Sequence, residues 1–308
     1  MSLQSYYAHG KLMLSGEYAV LDGAKALALP TKFGQKLQVK VQGLDGHTQR
    51  SNNTWQGINS KGQVWLDTSL GEASNLNSPE ERRISEIISF IKAKRPELFQ
   101  DLQYQFTTSL EFPNNWGLGS SSTLISLLAQ WADLDPYELL KQSFGGSGYD
   151  IACATANQPI LFHLEEERAS WQEVSLSASW TDCAYFVFLE QKKNSRDAIK
   201  HYRALQDTKS IVAEISSIST ALSENIDFKE ARYLFEKHEE IMSKVLRLAS
   251  INEDKFSDFA GVCKSLGAWG GDFIMALSNT NPLYVKEYFA KKGLHTFFSY
   301  KEMIWKKN

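Results

Sequence analysis

Cysteine is scarce, and the sequence does not pair it. Cys153, Cys183 and Cys263 stand far apart and form no C-x-x-C unit, so neither a disulfide framework nor a structural zinc site is expected. Buried thiols in a reducing cytoplasm fit this usage. Long apolar runs are missing as well. Stretches such as Ala184–Leu189 are far too short to cross a bilayer. Met1–Gly10 has no apolar run between a basic start and a cleavage site, so no signal peptide is expected and the location expected is cytoplasmic. Neither sign of charge is in excess. The 33 Lys and Arg against 36 Asp and Glu leave −3, which gives no reason to expect a nucleic-acid or anionic-membrane partner. Internal repeats, low-complexity tracts and a G-x-x-x-x-G-K-[ST] loop are all absent.

What remains is an ordinary globular composition. The chain has 308 residues, 43% of them hydrophobic and 22% charged, enough for two domains. Lys36–Gln42 alternates with period two and reads as a half-buried strand. Residues 43–63 are rich in Gly, Asn, Ser and Thr and read as loop, with a short strand at Val64–Leu66. Ile84, Ile87, Ile88 and Ile91 recur at helical spacing between Pro79 and Pro96. Leu102–Phe106 alternates again, with strand character to Phe112. Helices are expected up to about Trp131 and from Pro136 to about Gln142. Ile160–Leu164 reads as a strand, with Glu165–Arg168 as a hairpin tip or linker. The domains are placed at 1–175 and 176–308. The second opens with a strand at Cys183–Leu189. Two amphipathic helices follow, the clearer from Phe228 to about Leu248, then a strand at Phe273–Leu277 and a final helix after Pro282.

Four segments have the residue types that chemistry needs. Pro113-Asn-Asn-Trp-Gly-Leu-Gly-Ser-Ser-Ser122 lies between a strand and a helix. Glycines let several N–H groups point at one place, and the helix adds its positive end, which is the physics of a phosphate cradle. The plainer alternative is a Gly/Ser helix cap. In His9–Gly23, Lys11 sits in an apolar strand-like run, where an ammonium must reach solvent or meet an anion. Glu17 follows a glycine turn. In Gly145-Gly-Ser-Gly-Tyr-Asp150, Asp150 can accept or orient a hydroxyl proton, or simply cap a helix. Gly267-Ala-Trp-Gly-Gly-Asp272 is a further glycine loop, able to close over a substrate or to serve as a plain turn.

In this order the four segments resemble the GHMP kinase superfamily, from Gly10 to Asp272. The opening Gly10–Gly23 resembles the first motif of mevalonate and phosphomevalonate kinases, and Gly117-Leu-Gly-Ser-Ser121 the family's ATP phosphate loop. The other two glycine segments are most similar to phosphomevalonate kinase. Sugar kinases of the family have Arg where Lys11 stands. The resemblance implies an α+β fold of two domains, the first ribosomal-S5-like and the second ferredoxin-like. It implies ATP and Mg²⁺ as cofactors and mevalonate or phosphomevalonate as the acceptor, in a monomer or homodimer.

By matched position, Lys11 and Asp150 are catalytic. Pro113, Trp116, Gly117, Leu118, Gly119, Ser120, Ser121 and Ser122 line the triphosphate. Glu17, Gly148, Gly270, Gly271 and Asp272 serve the acceptor. Ser121 and, at an imperfect offset, Glu138 ligate the metal. Lys192, Lys193 and Arg196 are candidates for an acceptor's own phosphate, or a solvated charged turn. The chain departs from the pattern at His9, where Pro is usual, and at Trp116 and Trp269, where small residues are usual. The two tryptophans are expected either to narrow the site or to pack against each other and support its loops. A fold-sharing decarboxylase of diphosphomevalonate, and a nucleotide-binding protein that has lost catalysis, are the other readings.

Overall fold

The structure is a computed structural model and describes residues 2–43, 53–70, 78–166, 168–191, 200, 202–205, 207–267, 269 and 271–307. It is a mixed α+β fold, as expected. Two compact units are present. The first gathers Met1–Gly10, Phe33–Asn114 and Gly119–Thr155, and the second Lys11–Lys32, Asn115–Leu118 and Ala156–Asn308. Strands β1 (Ser2–Ser15) and β2 (Ala26–Gly43) contribute residues to both.

In the first unit, β3 (Asn53–Ile58) and β4 (Val64–Leu70) form a hairpin. β3 also runs parallel to β5 (Leu102–Leu110), which is antiparallel to Gln35–Gly43 of β2. β3 corrects the expectation of an unbroken loop over 43–63. Only Trp55 and Ile58 are large and apolar in it, so period two is hard to see, yet Trp55 and Gly57 are buried on one face. Four helices follow the hairpin: α1 (Pro79–Lys94), α2 (Ser120–Ala132), α3 (Pro136–Ser143) and α4 (Tyr149–Thr155). A capping box between Ser78 and Glu81 starts α1, whose four isoleucines are buried. The core is aromatic where it steadies α2. Trp131 packs edge-on to Phe106 at 4.8 Å and to Tyr104 at 5.2 Å, while Trp55 stacks on Phe106 at 5.4 Å. One end of α2 is thus fixed on β5, and α2 also packs on α4.

In the second unit, β6 (Ile160–Glu165) and β7 (Arg168–Glu173) form a hairpin, one of the two expectations for Glu165–Arg168, and β6 pairs with Ala26–Ala28. A separate antiparallel sheet holds β8 (Ala184–Phe188), β9 (Val262–Ser265), β10 (Phe273–Leu277) and β11 (Phe297–Ser299) in the order β11-β8-β10-β9. The helix Phe228–Leu246 packs on β9 and buries the stripe Ala231, Phe235, Met242 and Leu246. Helices Lys209–Leu222 and Pro282–Lys291 complete the frame. Among the described residues, no helix is long and apolar enough to cross a membrane.

Candidate active site

The first unit holds Ser120, Ser121, Ser122, Asp150, Gly148 and Glu138. Gly119 caps α2 at φ 88°, and no side chain caps that helix, whereas Asp135 caps α3. Anions favour such a start, because the first N–H groups of a helix have no partner within it. Of the three serines, Ser120 donates to Asn114 Oδ1 at 2.9 Å, and the buried Ser122 donates to the Gly119 carbonyl at 2.8 Å. Ser121 is the exposed one. Asp150 stands half-buried in the first turn of α4, where Oδ1 accepts the Ile151 N–H at 3.0 Å. Gly148, just before it, is buried against the Tyr137 ring. Glu138 is ion-paired with Lys94 of α1.

The second unit brings three distant segments together. Lys11 is half-buried in β1, and its backbone N–H donates to the Leu118 carbonyl at 3.0 Å while its Nζ donates to the Gly117 carbonyl at 2.9 Å. Of the two expectations for a lysine in an apolar strand, solvent or an anion, the structure shows a half-buried ammonium with a carbonyl dipole as one of its partners. Gly117 has φ 68°, and a Cβ there would lie 2.3 Å from Asp272 Oδ2, so glycine is favoured at this turn. Asp272 is fixed by its backbone, accepting from Leu189 at 2.8 Å and donating to Gln191 at 3.0 Å. Leu118 and Gly271 are buried, and Pro113, in the first unit, is half-buried. Gly270, Lys192, Lys193 and Arg196 lie outside the described residues.

The two tryptophans have different packing partners. Trp116 lies 5.5 Å from both Phe273 and Phe298, edge-on, and 6.1 Å from Phe188. Trp269 is buried with Tyr18, Ala19, Tyr202 and Met242, and its Nε1 donates to the Ala249 carbonyl at 3.2 Å. Each therefore packs its loop onto the unit's own core.

Glu17 is buried, and its partners were missed from sequence. Lys264 Nζ donates to Glu17 Oε1 at 2.7 Å and to the Ser265 carbonyl at 2.8 Å. His238 Nε2 lies 3.3 Å from Glu17 Oε2 and accepts the Gly16 N–H at 3.3 Å. Glu239 Oε1 accepts the Ser265 N–H at 3.0 Å. Burial alone would raise the Glu17 carboxyl, but Lys264 outweighs it and holds it below the usual carboxylate range. Burial, together with Lys264, pushes the His238 imidazole down against the pull of Glu17. Burial pushes Glu239 up to about 7, opposed by Lys264 and by the N–H groups of Ser265 and Ile251. The signal that singled out Lys11 was available for Lys264 too: it is the one cation in the strand Val262-Cys-Lys-Ser265.

The turn that Glu17 opens is strained. Tyr18 has φ 64° and ψ −49°, and Ala19 N–H donates to the Glu17 carbonyl at 2.7 Å. This is the γ-turn of the rare, strained kind, which costs on the order of 1–3 kcal/mol. The Tyr18 hydroxyl accepts the Trp269 N–H at 3.2 Å, tying the opening motif to the third glycine loop.

This α+β fold, with a glycine loop leading into a helix, is shared with solved structures of small-molecule kinases. The solved structures it is similar to make this specific. Mevalonate kinase from Methanococcus jannaschii aligns over 100% of this chain and 99% of its own, at 17% identity and TM-score 0.71. Streptococcus pneumoniae phosphomevalonate kinase, solved in complex with phosphomevalonate and AMPPNP, aligns over 97% of this chain and 99% of its own, at 19% identity and TM-score 0.66. Lactococcus lactis galactokinase, complexed with galactose, aligns over 99% and 93%, at 12% identity and TM-score 0.65. At such identities the likeness shows the fold. No family model matches the sequence, and no curated protein matches it.

Proposed function

We propose that this protein is an ATP-dependent phosphotransferase acting on a small hydroxylated acceptor, mevalonate or phosphomevalonate, in the cytoplasm. The observation that carries this reading is the joining of three motif segments in the second unit: Lys11 holds the carbonyls of Gly117 and Leu118, and Asp272 closes on Gly117. The fold of the neighbours supports it, including one solved with AMPPNP. The domains would divide at 175/176, the first ribosomal-S5-like and nucleotide-binding, the second ferredoxin-like.

The residues fit a nucleotide. The uncapped start of α2 and the narrow glycine turn offer N–H groups and leave no room for side chains. They also fit a metal carried by phosphates. Among the described residues no group of three His, Cys, Asp or Glu could hold an ion, and kinase Mg²⁺ is bound through few protein ligands plus phosphate oxygens. Ser121 would be such a ligand, and Mg²⁺ would neutralise charge on the phosphates. Lys11 adds a fixed positive charge for the transferring group. Asp150 would take or direct the proton of the acceptor hydroxyl, while Glu17, Gly148 and the 270–272 segment would shape the acceptor's place. Transfer then needs alignment more than covalent chemistry.

The test is coupled ADP release from purified protein with mevalonate, phosphomevalonate, galactose and homoserine in turn. Turnover with one of the first two supports the reading and settles the acceptor. Nucleotide binding without turnover on any of the four would replace it with a binding protein that has lost catalysis.

A further inference from the structure

The γ-turn at Tyr18 needs restraint, because a strained residue persists only where its surroundings over-determine it. Three side chains supply that restraint, and all come from elsewhere in the second unit. His238, wholly buried on the helix Phe228–Leu246, accepts the Gly16 N–H. Lys264, wholly buried on β9, holds the Glu17 carboxylate at 2.7 Å. Glu239, one residue beyond His238, holds the Ser265 N–H and so fixes the strand that presents Lys264. Gly16 itself admits nothing larger, since a Cβ would lie 2.6 Å from Ala26 Cβ.

The turn then passes the restraint on. Its Tyr18 hydroxyl receives the Trp269 N–H, and Trp269 shares a packed cluster with Tyr18 and Ala19. A buried ion pair is weak evidence for stability, because two well-packed apolar side chains often do as well. Joining a lysine, a histidine and a carboxylate at a strained turn serves conformation better than it serves stability.

We propose that Lys264 and His238 are positioning residues: they lock the Glu17–Tyr18–Ala19 turn and, through Tyr18, Trp269, in the conformation the phosphotransfer uses. The catalytic half of this statement rests on the function proposed above; the locking half does not.

Two measurements on Lys264→Met and Lys264→Arg test it, with the double variant Glu17→Gln/Lys264→Met as the form that leaves no buried charge unpaired. The first is amide hydrogen exchange at Gly16, Ala19 and Trp269, referenced to Met275 in β10. The expected result is exchange at least about tenfold faster at those three amides with Met275 unchanged, in the double variant as in Lys264→Met. Equal exchange in the folded double variant, or a uniform rise that includes Met275, overturns the lock. The second is steady-state kinetics on the acceptor that wild type turns over. The expected result is a kcat at least about tenfold lower, an ATP KM within about twofold of wild type, and partial recovery in Lys264→Arg. Lowered stability with kcat unchanged per folded molecule overturns the positioning role. Absence of turnover in wild type sinks the kinase reading alone, because the exchange measurement still decides the lock.

Discussion

In the first unit the candidate residues ride on regular structure. Ser121 and Asp150 stand in the first turns of α2 and α4, outside the hydrophobic core. In the second unit the candidate residues sit in irregular backbone or buried charge: Tyr18, Gly117 and Asp272 all have positive φ, and Glu17 is buried between Lys264 and His238. The contrast separates two ways of holding a group still. A helix pinned by aromatic packing positions its end cheaply and leaves the polar groups exposed for reactants. A strained turn needs buried partners, and those partners become part of the fold. Changes at the exposed polar residues of the first region should therefore alter rate with little effect on stability, and changes at the buried charges of the second should alter both.

The largest effect expected is on rate. Asp150→Asn keeps the size and the hydrogen bond to Ile151 but cannot take a proton, so kcat should fall roughly 10²–10⁴-fold, the scale of a general acid–base partner. Its denaturation midpoint should stay at the wild-type value. Near-wild-type turnover would break the comparison at its first term. Next comes the packing that holds α2. Trp131→Ala removes the ring that meets Phe106 and Tyr104 and should cost about 3–5 kcal/mol by chemical denaturation. A loss under about 1 kcal/mol would show that α2 is positioned by something else.

Much of the first region was legible in sequence. The isoleucine spacing of α1, the alternation of β5 and the glycine-serine loop leading into α2 are local patterns, and the local pattern decides them. β3 was not, because Trp55 is buried by pairing with β5, where its partner Phe106 lies 51 positions on. The second region hid more. Glu17 and Lys11 stood out within one segment, but Glu17's partners Lys264 and His238 lie 247 and 221 positions away and meet it only in the folded chain. No spacing rule reaches that far. The tryptophans show the same limit: sequence marked them as unusual in glycine loops, and only packing shows that each is absorbed by a neighbouring apolar cluster.

A smaller effect should appear in the pH dependence of stability. Glu239 is held near 7 when folded, against 4.5 when exposed, so the folded state keeps a proton that the unfolded chain has lost. Its contribution is complete below about 4.5 and is lost as the pH rises through about 7, a decline on the order of 3 kcal/mol. Glu17 works in the opposite sense, with a depressed value whose contribution is lost only in acid as its carboxylate protonates. Denaturation of wild type and Glu239→Gln between pH 4.5 and 7 separates the two, because the variant should lack the decline. An identical slope in both proteins would mean that Glu239 is not the group that titrates.

The smallest effect is expected at Glu138. It was the second metal candidate by position, and it is ion-paired with Lys94, both side chains being about half exposed. Exposed pairs of this kind contribute about 0–1 kcal/mol, so Glu138→Gln should barely move the denaturation midpoint. The sharper readout is the Mg²⁺ concentration that half-saturates turnover. A carboxylate that leaves Lys94 to hold the ion would raise that concentration when replaced, whereas a carboxylate that only braces α3 against α1 would leave it unmoved. The pairing favours the second outcome, and the first would restore Glu138 to the metal site and give the first unit a charged residue beside its exposed serine.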